Sequence, residues 1–518
     1  MPVSLPPLSP THRRRLLSVL LFFGLCFGLL ALVNHRNFRT YAYDLGIYNQ
    51  ALWDYAHLRW NVNSVMRYNN LLGDHFTPLQ LLWSPLYWVF RSYALLVVQI
   101  AAALAGGYGA YCLHRLRSGG RQPGAAVALA AQFLSIWGIY SALAYDYHDN
   151  VVAALLLPWL FYLFEKDRRG AAALLFGLLL LSKENVALWL CFVALGLAAL
   201  HWRNRARLFF ALGLAALAGG YFVLVTQVII PALSEGQGYF YESRYAAVGG
   251  SFGGILRTAL TRPFYVLGLL FRNHLPQDAA GDYIKLELHL MVLVSGGYAL
   301  LRRPAYLLML VPIYAQKLFS GSLLHWGLNY QYSIEFVPII SAALGHWLLS
   351  TAPRPAARLA TAAAVLTLAA TIVSLEVRVS KWHDKSASQF YLPRHYRRGF
   401  DVGEVHRTLG LIPAEAPVSS SSPLTPHLAF RAYTYPFPYV GNAQYLALLR
   451  HDNPYPLTEA QFERQLAAYR RSPEWRVRYD RDPLLILERV HPLPLPARRH
   501  FSQRAASAMD TLSLAAPQ

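Results

Sequence analysis

The 518-residue chain has few charged residues, which make up 14% of the sequence, whereas 55% of its residues are hydrophobic. Soluble proteins carry about 25% charged residues, so this shortage argues against a soluble or disordered chain. Cysteine is also scarce: Cys26, Cys112 and Cys191 each lie in an apolar stretch, without CxxC spacing. The sequence therefore supports neither a disulfide framework nor a cysteine-based metal site.

Acidic residues are scarce relative to basic ones, with 27 Asp and Glu against 47 Lys and Arg and a net charge of +20. Such an excess can indicate a nucleic-acid partner. Here the basic residues are mostly arginines in short clusters between apolar stretches, a pattern typical of membrane topology. We therefore expect membrane lipids as partners, and no nucleic acid.

Eleven apolar stretches predict transmembrane helices, because about 20 apolar residues cross the ~30 Å hydrocarbon core. The stretches are 16–33, 93–113, 124–144, 151–164, 171–182, 185–200, 208–230, 289–301, 305–320, 330–349 and 359–375. With eleven spans, the intervening basic clusters all fall on one side, which the positive-inside rule makes cytoplasmic. The sequence predicts a multi-pass protein of the cytoplasmic membrane with a cytoplasmic N-terminus.

The predicted fold is mainly α, with a transmembrane domain at 1–379 that includes a long first outer loop at 34–91. A small extracytoplasmic α/β domain follows at 380–491, and a disordered tail at 492–518. Within the α/β domain we expect helices at 401–411 and 458–469 and strands at 417–420, 444–449, 475–479 and 484–488. The serine run 419–422 lacks the glycines and lysine of a phosphate loop, so it predicts no nucleotide site.

Carboxylates, histidines and aromatic residues gather in the predicted outer loops. Ionisable groups inside a membrane are costly and indicate function, which singles out Glu335 and the pair Lys183 and Glu184. A buried ion pair between helices is the alternative for these residues. Asp146, His148 and Asp149 have a spacing that suits a divalent metal ion, with a plain solvated loop as the alternative.

Three short motifs carry a resemblance to a known family. They are YDLGIYNQALW at 43–53, GDHFTP at 73–78 and SKEN at 182–185, with Pro426-His427-Leu428 and Arg431 near the C-terminus. The pattern resembles an uncharacterised family of prokaryotic polytopic membrane proteins, over most of residues 16–490. That family is itself similar to the GT-C glycosyltransferases, which include protein mannosyltransferases and aminoarabinose transferases.

The resemblance implies an inverting transferase that uses a polyprenyl-phosphate sugar donor and a glycan, lipid or protein acceptor. Its catalytic base is an Asp in the first outer loop, and Asp44 matches that position, although the acidic pair of many GT-C enzymes is absent. Asp74 and His75 would orient the acceptor or Asp44. The remaining candidates would bind substrate, with the cations facing the lipid phosphate: Lys183, Glu184, Arg244, Arg272, His325, Tyr332 and Glu335.

The same residues allow other interpretations. Asp44 could be a helix N-cap, because the residues after it have helical character. Asp74 and His75 precede Thr77-Pro78 and could form a simple turn. At the level of function, the alternatives to a glycosyltransferase are a transporter or flippase of a lipid-linked glycan, and a non-catalytic membrane protein of envelope assembly.

Overall fold

The computed structural model describes residues 9–66, 70–234, 240–275, 277–380 and 382–495. Most of the predicted tail, at 496–518, lies outside these residues. The chain divides into two compact units that are discontinuous in sequence. The first, the helical unit, comprises Met1–Leu30, Val98–Ile229 and Gln237–Tyr391. The second, the mixed unit, comprises Ala31–Val97, Ile230–Gly236 and Leu392–Gln518, so the 34–91 segment belongs with the C-terminal region.

Each of the eleven stretches predicted from the sequence overlaps a helix, or two consecutive helices. The helices of the helical unit, the first two of which continue into the mixed unit, are Pro10–Arg36, Ala94–Arg117, Pro123–Ser135, Trp137–Leu143, Asp149–Glu165, Arg169–Leu180, Glu184–Leu200, Arg205–Leu224, Phe252–Thr261, Pro263–Leu269, Ile284–Val292, Tyr298–Arg302, Pro304–Leu318, Leu323–Trp326, Phe336–Leu348, Pro353–Glu376 and Lys385–Ser388. Short π-helical turns at Val225–Ile229 and Leu293–Gly297 and 3₁₀ turns at Phe240–Val248 and Ala279–Gly281 complete the unit.

Among the described residues, five helical segments are long and apolar enough to cross a membrane. They are Pro10–Arg36, Gln80–Arg117, Arg205–Leu233, Ala279–Arg302 and Pro353–Glu376. Pro123–Ser135 and Trp137–Leu143, bent by 43°, make a sixth if they are taken as one span. Other apolar helices are shorter, such as Arg169–Leu180 and Phe336–Leu348. The count of eleven spans and its orientation therefore stay predictions.

The helix Glu184–Leu200 packs against both Arg205–Leu224 and Pro304–Leu318. Close approach requires a glycine at Gly196, where an added Cβ would lie 2.8 Å from the carbonyl oxygen of Ala305. The indole Nε1 of Trp189 donates a hydrogen bond to the carbonyl of Met309 at 3.1 Å. This helix is separate from Arg169–Leu180, as the sequence predicted from the Lys183-Glu184 interruption.

The mixed unit is built on one five-stranded sheet. Its strands are β1 (Val418–Ser420), β2 (Thr434–Pro436), β3 (Tyr445–Leu449), β4 (Trp475–Arg481) and β5 (Leu484–Arg489), in the order β2-β1-β3-β5-β4. β1 is parallel to β2 and β3, with Val418 opposite Thr434 and Tyr445. β5 is antiparallel to β3 and β4. The sequence predicted four of these strands and missed β2, where Pro436 and Pro438 argue against a strand.

Helices cover both faces of this sheet, so every residue of β3 is buried. Val402–Leu409 packs on one face and Glu459–Arg471 on the other. The second of these helices begins after Thr458, as predicted, in a reciprocal capping box with Gln461. The other helical segments of the unit are Ala42–Gly46 (a π turn), Ile47–Ala56, Leu71–Asp74, Gln80–Trp83, Ser84–Leu86, Tyr87–Phe90, Arg91–Tyr93, Ile230–Leu233, Pro393–Tyr396 and Thr425–Leu428.

Candidate active site

Asp44 lies in the π-helical turn Ala42–Gly46, which continues directly into the helix Ile47–Ala56. Its side chain is partly buried. Asp44 is not an N-cap, because Tyr41 caps the turn and Gly46 precedes the helix. A single π turn inside a helical path is uncommon and is frequent at functional sites.

Most other polar residues of the 43–53 motif and its surroundings have structural roles. Asn49 donates from Nδ2 to the carbonyl of Pro426 at 3.0 Å, and Gln50 donates from Nε2 to the hydroxyl of Ser64 at 2.9 Å. The buried carboxylate of Asp54 accepts hydrogen bonds from Asn61 Nδ2 at 3.2 Å and from the amide of Val62 at 3.1 Å. Asp54 is thus held in place by residues 61 and 62 of the same segment.

Asp74 and His75 also lie in the mixed unit. Asp74 ends the one-turn helix Leu71–Asp74, and His75 is its C-cap. The His75 Nε2 atom is 3.9 Å from Asp74 Oδ2, and the two side chains are 18% and 24% exposed. This short helix packs against Ile230–Leu233, where an added Cβ on Gly73 would lie 2.8 Å from the carbonyl oxygen of Leu233. Asp74 and His75 are thus partly exposed to solvent, whereas the backbone of the short helix beside them is closely packed.

In the helical unit, Lys183 is the N-cap residue of the helix Glu184–Leu200 and has extended backbone angles. Its ammonium group interacts electrostatically with Asp149, His325 and Glu335. Glu184 is 1% exposed and occupies the first helical turn, where the helix dipole favours a negative charge. Lys183 and Glu184, although adjacent in sequence, therefore differ in exposure: Lys183 is partly exposed and Glu184 is buried.

Glu335 is buried, 5% exposed, immediately before the helix Phe336–Leu348. Its Oε1 atom accepts a hydrogen bond from Asn150 Nδ2 at 3.1 Å, and it interacts electrostatically with Lys317. The Lys317 ammonium donates to the carbonyl of Gly327 at 2.9 Å and to Ser333 Oγ at 3.1 Å. Sequence reasoning missed Lys317, although a lysine inside the apolar stretch 305–320 was the signal that could have found it.

The loop that precedes Glu335 positions His325 and Tyr332. The Nδ1 atom of His325 is 2.6 Å from Ser320 Oγ, and its ring lies edge-on to Tyr332 with centroids 4.4 Å apart. Burial, with help from Arg244, Lys317 and Lys183, lowers the pKa of His325 to about 3. The imidazole is therefore neutral near pH 7 and contributes hydrogen bonding rather than positive charge.

Two arginines proposed from the sequence differ in their surroundings. The carbonyl of Arg244 accepts the amide of Gly321 at 2.7 Å, and its guanidinium acts electrostatically on His325. Arg272 is exposed, and its side chain makes no hydrogen bond or ion pair with any residue that the structure describes. The structure thus associates Arg244, and not Arg272, with the charged group of the helical unit.

The residues predicted as metal ligands lie in a loop that Gln99 and Tyr147 hold by hydrogen bonds. Gln99 binds the backbone on both sides of Tyr147, with Nε2 donating to the Asp146 carbonyl at 3.0 Å and Oε1 accepting from the His148 amide at 3.1 Å. Tyr147 donates its hydroxyl to Asp149 Oδ1 at 2.6 Å. Within the described ranges no three His, Cys, Asp or Glu residues are grouped to hold a metal ion. The metal site suggested by the spacing of Asp146, His148 and Asp149 is therefore not formed.

The candidates divide between the two units. The mixed unit holds Asp44, Asp74 and His75, whereas the helical unit holds a charged group that we define as Asp149, Lys183, Arg244, Lys317, His325 and Glu335. The electrostatic contacts join acids and cations inside a largely apolar set of helices.

These features define a helical membrane protein with a small α/β region. The chain belongs to the family described as predicted membrane protein DUF2079, whose model matches residues 34–484. No curated protein matches the chain.

Among solved structures, the chain is similar to ArnT from Cupriavidus metallidurans bound to undecaprenyl phosphate. The TM-score is 0.51 at 15% identity, and the match covers 93% of this chain and 98% of ArnT. The Archaeoglobus fulgidus oligosaccharyltransferase in its apo form also matches, with a TM-score of 0.35 and 14% identity over 81% of this chain and 64% of that protein. The ArnT likeness shows the fold of the GT-C glycosyltransferases.

Proposed function

We propose that this protein is an inverting GT-C-type glycosyltransferase that moves a sugar from a polyprenyl-phosphate donor to an envelope acceptor. The observation that carries the proposal is the likeness to ArnT along almost the whole length of both chains. That neighbour is bound to undecaprenyl phosphate, which supports a polyprenyl phosphate as the lipid partner here. The acceptor is a glycan, lipid or protein of the envelope.

The reaction takes place on the extracytoplasmic side in this proposal. The basic clusters between the apolar stretches support a cytoplasmic position for the loops that contain them. The N-terminus is then cytoplasmic, and the 34–91 segment and the α/β region are extracytoplasmic. All the candidate residues belong to the segments that this orientation assigns to the outer face or to the outer ends of helices.

Asp44 is the general base in this mechanism. Its carboxylate removes the proton from an acceptor hydroxyl while the acceptor oxygen bonds to the sugar carbon from the face opposite the phosphate. The bond between that carbon and the phosphate oxygen breaks, and its electron pair stays with the phosphate. Because attack and departure occur on opposite faces, the configuration at the carbon inverts. Asp74 and His75 orient the acceptor hydroxyl.

The departing lipid phosphate requires positive charge rather than a strong acid. Lys183 and Arg244 supply that charge, because fixed cations in a site of low dielectric stabilise developing negative charge best. Lys317 interacts with Glu335, so its charge is partly balanced within the protein. Glu184, Glu335, Tyr332 and the neutral His325 bind hydroxyl groups of the sugar, and Arg272 has a peripheral role.

Lipid mass spectrometry on cells lacking the protein tests the proposal. The cells are complemented with the wild type, with Asp44→Asn, or with Asp54→Asn as a matched control. We expect Asp44→Asn to be expressed normally, to accumulate a polyprenyl-phosphate sugar and to lose one glycan modification. Asp54→Asn should behave as the wild type, because an amide oxygen can still accept the bonds from Asn61 and Val62. Wild-type lipid pools in Asp44→Asn would exclude Asp44 as the base.

A transporter of a lipid-linked glycan is the second candidate, and the buried charges of the helical unit favour it. Transporters use intramembrane ionisable groups such as Glu335 and Lys317 directly. In that case Glu335→Gln would abolish function while Asp44→Asn would not. The opposite result in the same lipid assay favours the transferase. Tolerance of both changes would instead favour a non-catalytic role in envelope assembly.

A further inference from the structure

The parallel part of the sheet contains a topological switch point. β1 lies between β2 and β3 and is parallel to both. The chain passes from β1 to β2 on one side and then crosses to β3 on the other side of β1. In open α/β sheets, the crevice beyond the carboxyl end of such a strand is the usual place for a ligand. Here that end is Ser420, followed by Ser421 and Ser422.

In this protein the turn that contains Asp44 packs at that end of β1. The amide of Ala42 donates a hydrogen bond to Ser422 Oγ at 3.1 Å, across 380 residues of sequence. Gly46, at the other end of the turn, packs on Thr425, where an added Cβ would lie 3.2 Å from Cγ2. One helical turn later, Asn49 donates to the carbonyl of Pro426. The Asp44 turn is thus attached on both sides to residues 422–426.

The four serines at 419–422, for which the sequence predicted no role, make different hydrogen bonds. Ser419 donates to the carbonyl of Tyr439 at 2.8 Å, Ser420 pairs with the Thr425 hydroxyl at 2.9 Å, and Ser421 accepts the amide of Leu449 at 3.0 Å. These three contacts remain within the C-terminal region. Ser422 is the member of the run whose hydroxyl hydrogen-bonds with the 34–91 segment.

We propose that Ser422 is a positioning residue for Asp44, and that the α/β region uses its switch point to hold the Asp44 turn rather than a small ligand. The proposal rests on the proposed function, because it assigns the turn a catalytic carboxylate. Ala42 is two residues before Asp44, so a fixed Ala42 amide restricts where that carboxylate lies. Precise placement matters, since a misplacement of about 1 Å can cost about 100-fold in rate.

Hydrogen–deuterium exchange on the full-length protein in lipid nanodiscs tests the anchoring without any assumption about the reaction. Ser422→Ala removes the acceptor of the Ala42 amide, so exchange in peptides covering 41–46 should rise about tenfold. Ser421→Ala is the matched control, because it removes an equally buried hydroxyl that accepts one backbone amide, at Leu449. It should raise exchange in β3 and leave 41–46 unchanged. Unchanged exchange of 41–46 in Ser422→Ala overturns the anchoring.

The catalytic consequence is read in the lipid assay of the complemented cells. Ser422→Ala should accumulate the polyprenyl-phosphate sugar as Asp44→Asn does, Ser421→Ala should not, and Ser422→Thr should restore the wild-type pool because it keeps the hydroxyl. Faster exchange with wild-type pools in Ser422→Ala overturns the positioning role. If Asp44→Asn itself leaves the pools unchanged, the proposed function fails and the catalytic purpose of Ser422 falls with it, whereas the exchange data still report whether the anchor exists.

Discussion

In the helical unit, the buried charges of Lys317 and Glu335 act on each other and on neighbouring charged residues. In the mixed unit, buried polar side chains such as Asn49 and Ser64 bind the backbone of segments that are distant in sequence. The charged residues of the helical unit create an electric field that can act on a bound ligand. The polar residues of the mixed unit instead fix the path of the backbone. In the proposed function, the residues of the first kind bind the substrate and those of the second kind position the base.

The largest effect is expected from removing a buried cation of the helical unit. Lys317→Met removes the donor of the bonds to the Gly327 carbonyl and Ser333 Oγ, and with it the charge that acts on the buried Glu335, so the free energy of unfolding should fall by about 3 kcal/mol. Thermal unfolding of the purified protein in nanodiscs measures the change. The double variant Lys317→Met/Glu335→Gln should recover part of the loss. Equal stability of the single and double variants would show that the two charges are not coupled.

A slightly smaller loss is expected at the corresponding buried cation of the mixed unit. Arg431 donates to the carbonyls of Leu428, Pro413 and Ala416 at 2.8, 3.1 and 2.7 Å, and burial lowers its pKa to about 10. Arg431→Met should cost about 2–3 kcal/mol, because buried carbonyls lose their donors. Exchange should rise mainly at 413–434. A loss confined to substrate turnover, with stability intact, would contradict this structural role.

Lys183 offers a test of the proposed ligand rather than of stability. In the proposed function Lys183 makes a charge-assisted contact with the lipid phosphate, so Lys183→Met should lower the affinity for undecaprenyl phosphate about tenfold. Arg272→Met is the control, because this exposed arginine makes no side-chain contact with the described residues. Binding is measured by the concentration dependence of thermal stabilisation. Equal losses in both variants would indicate attraction by surface charge in general.

The smallest effect is a pH dependence in the mixed unit. Burial and then the neighbouring His35 and His406 lower the pKa of His427, whose ring stacks on His35 at 4.1 Å. Below about pH 6.5 the unfolded chain binds a proton that the folded His427 does not, so stability falls as pH decreases. The slope is at most ~1.4 kcal/mol per pH unit for one histidine. His427→Asn should reduce the slope of the free energy of unfolding against pH between pH 5 and 6.5. An unchanged slope would show that His427 is not the source of the pH dependence.

Local sequence signals predicted the long apolar helices and four of the five strands. The apolar stretches overlap helices, and Thr458 begins its helix with the predicted cap. These features depend on residues a few positions apart, so periodicity and capping reveal them. Lys317 was available to the same reasoning as a charge inside an apolar stretch. The strand β2 could not be found in this way, because Pro436 and Pro438 break the strand pattern of that stretch.

The sequence by itself determined that this is a helical membrane protein with a small α/β region, and it placed Asp44 in the 34–91 segment. Only the tertiary structure decided which polar residues serve architecture. Ser422 and Ala42 are 380 residues apart, and no local pattern encodes their hydrogen bond. Likewise, Asp146, His148 and Asp149 are close in sequence but do not form a metal-binding group among the described residues. Such pairings depend on how the chain packs, since a hydrogen bond acts across distance in space rather than along the sequence.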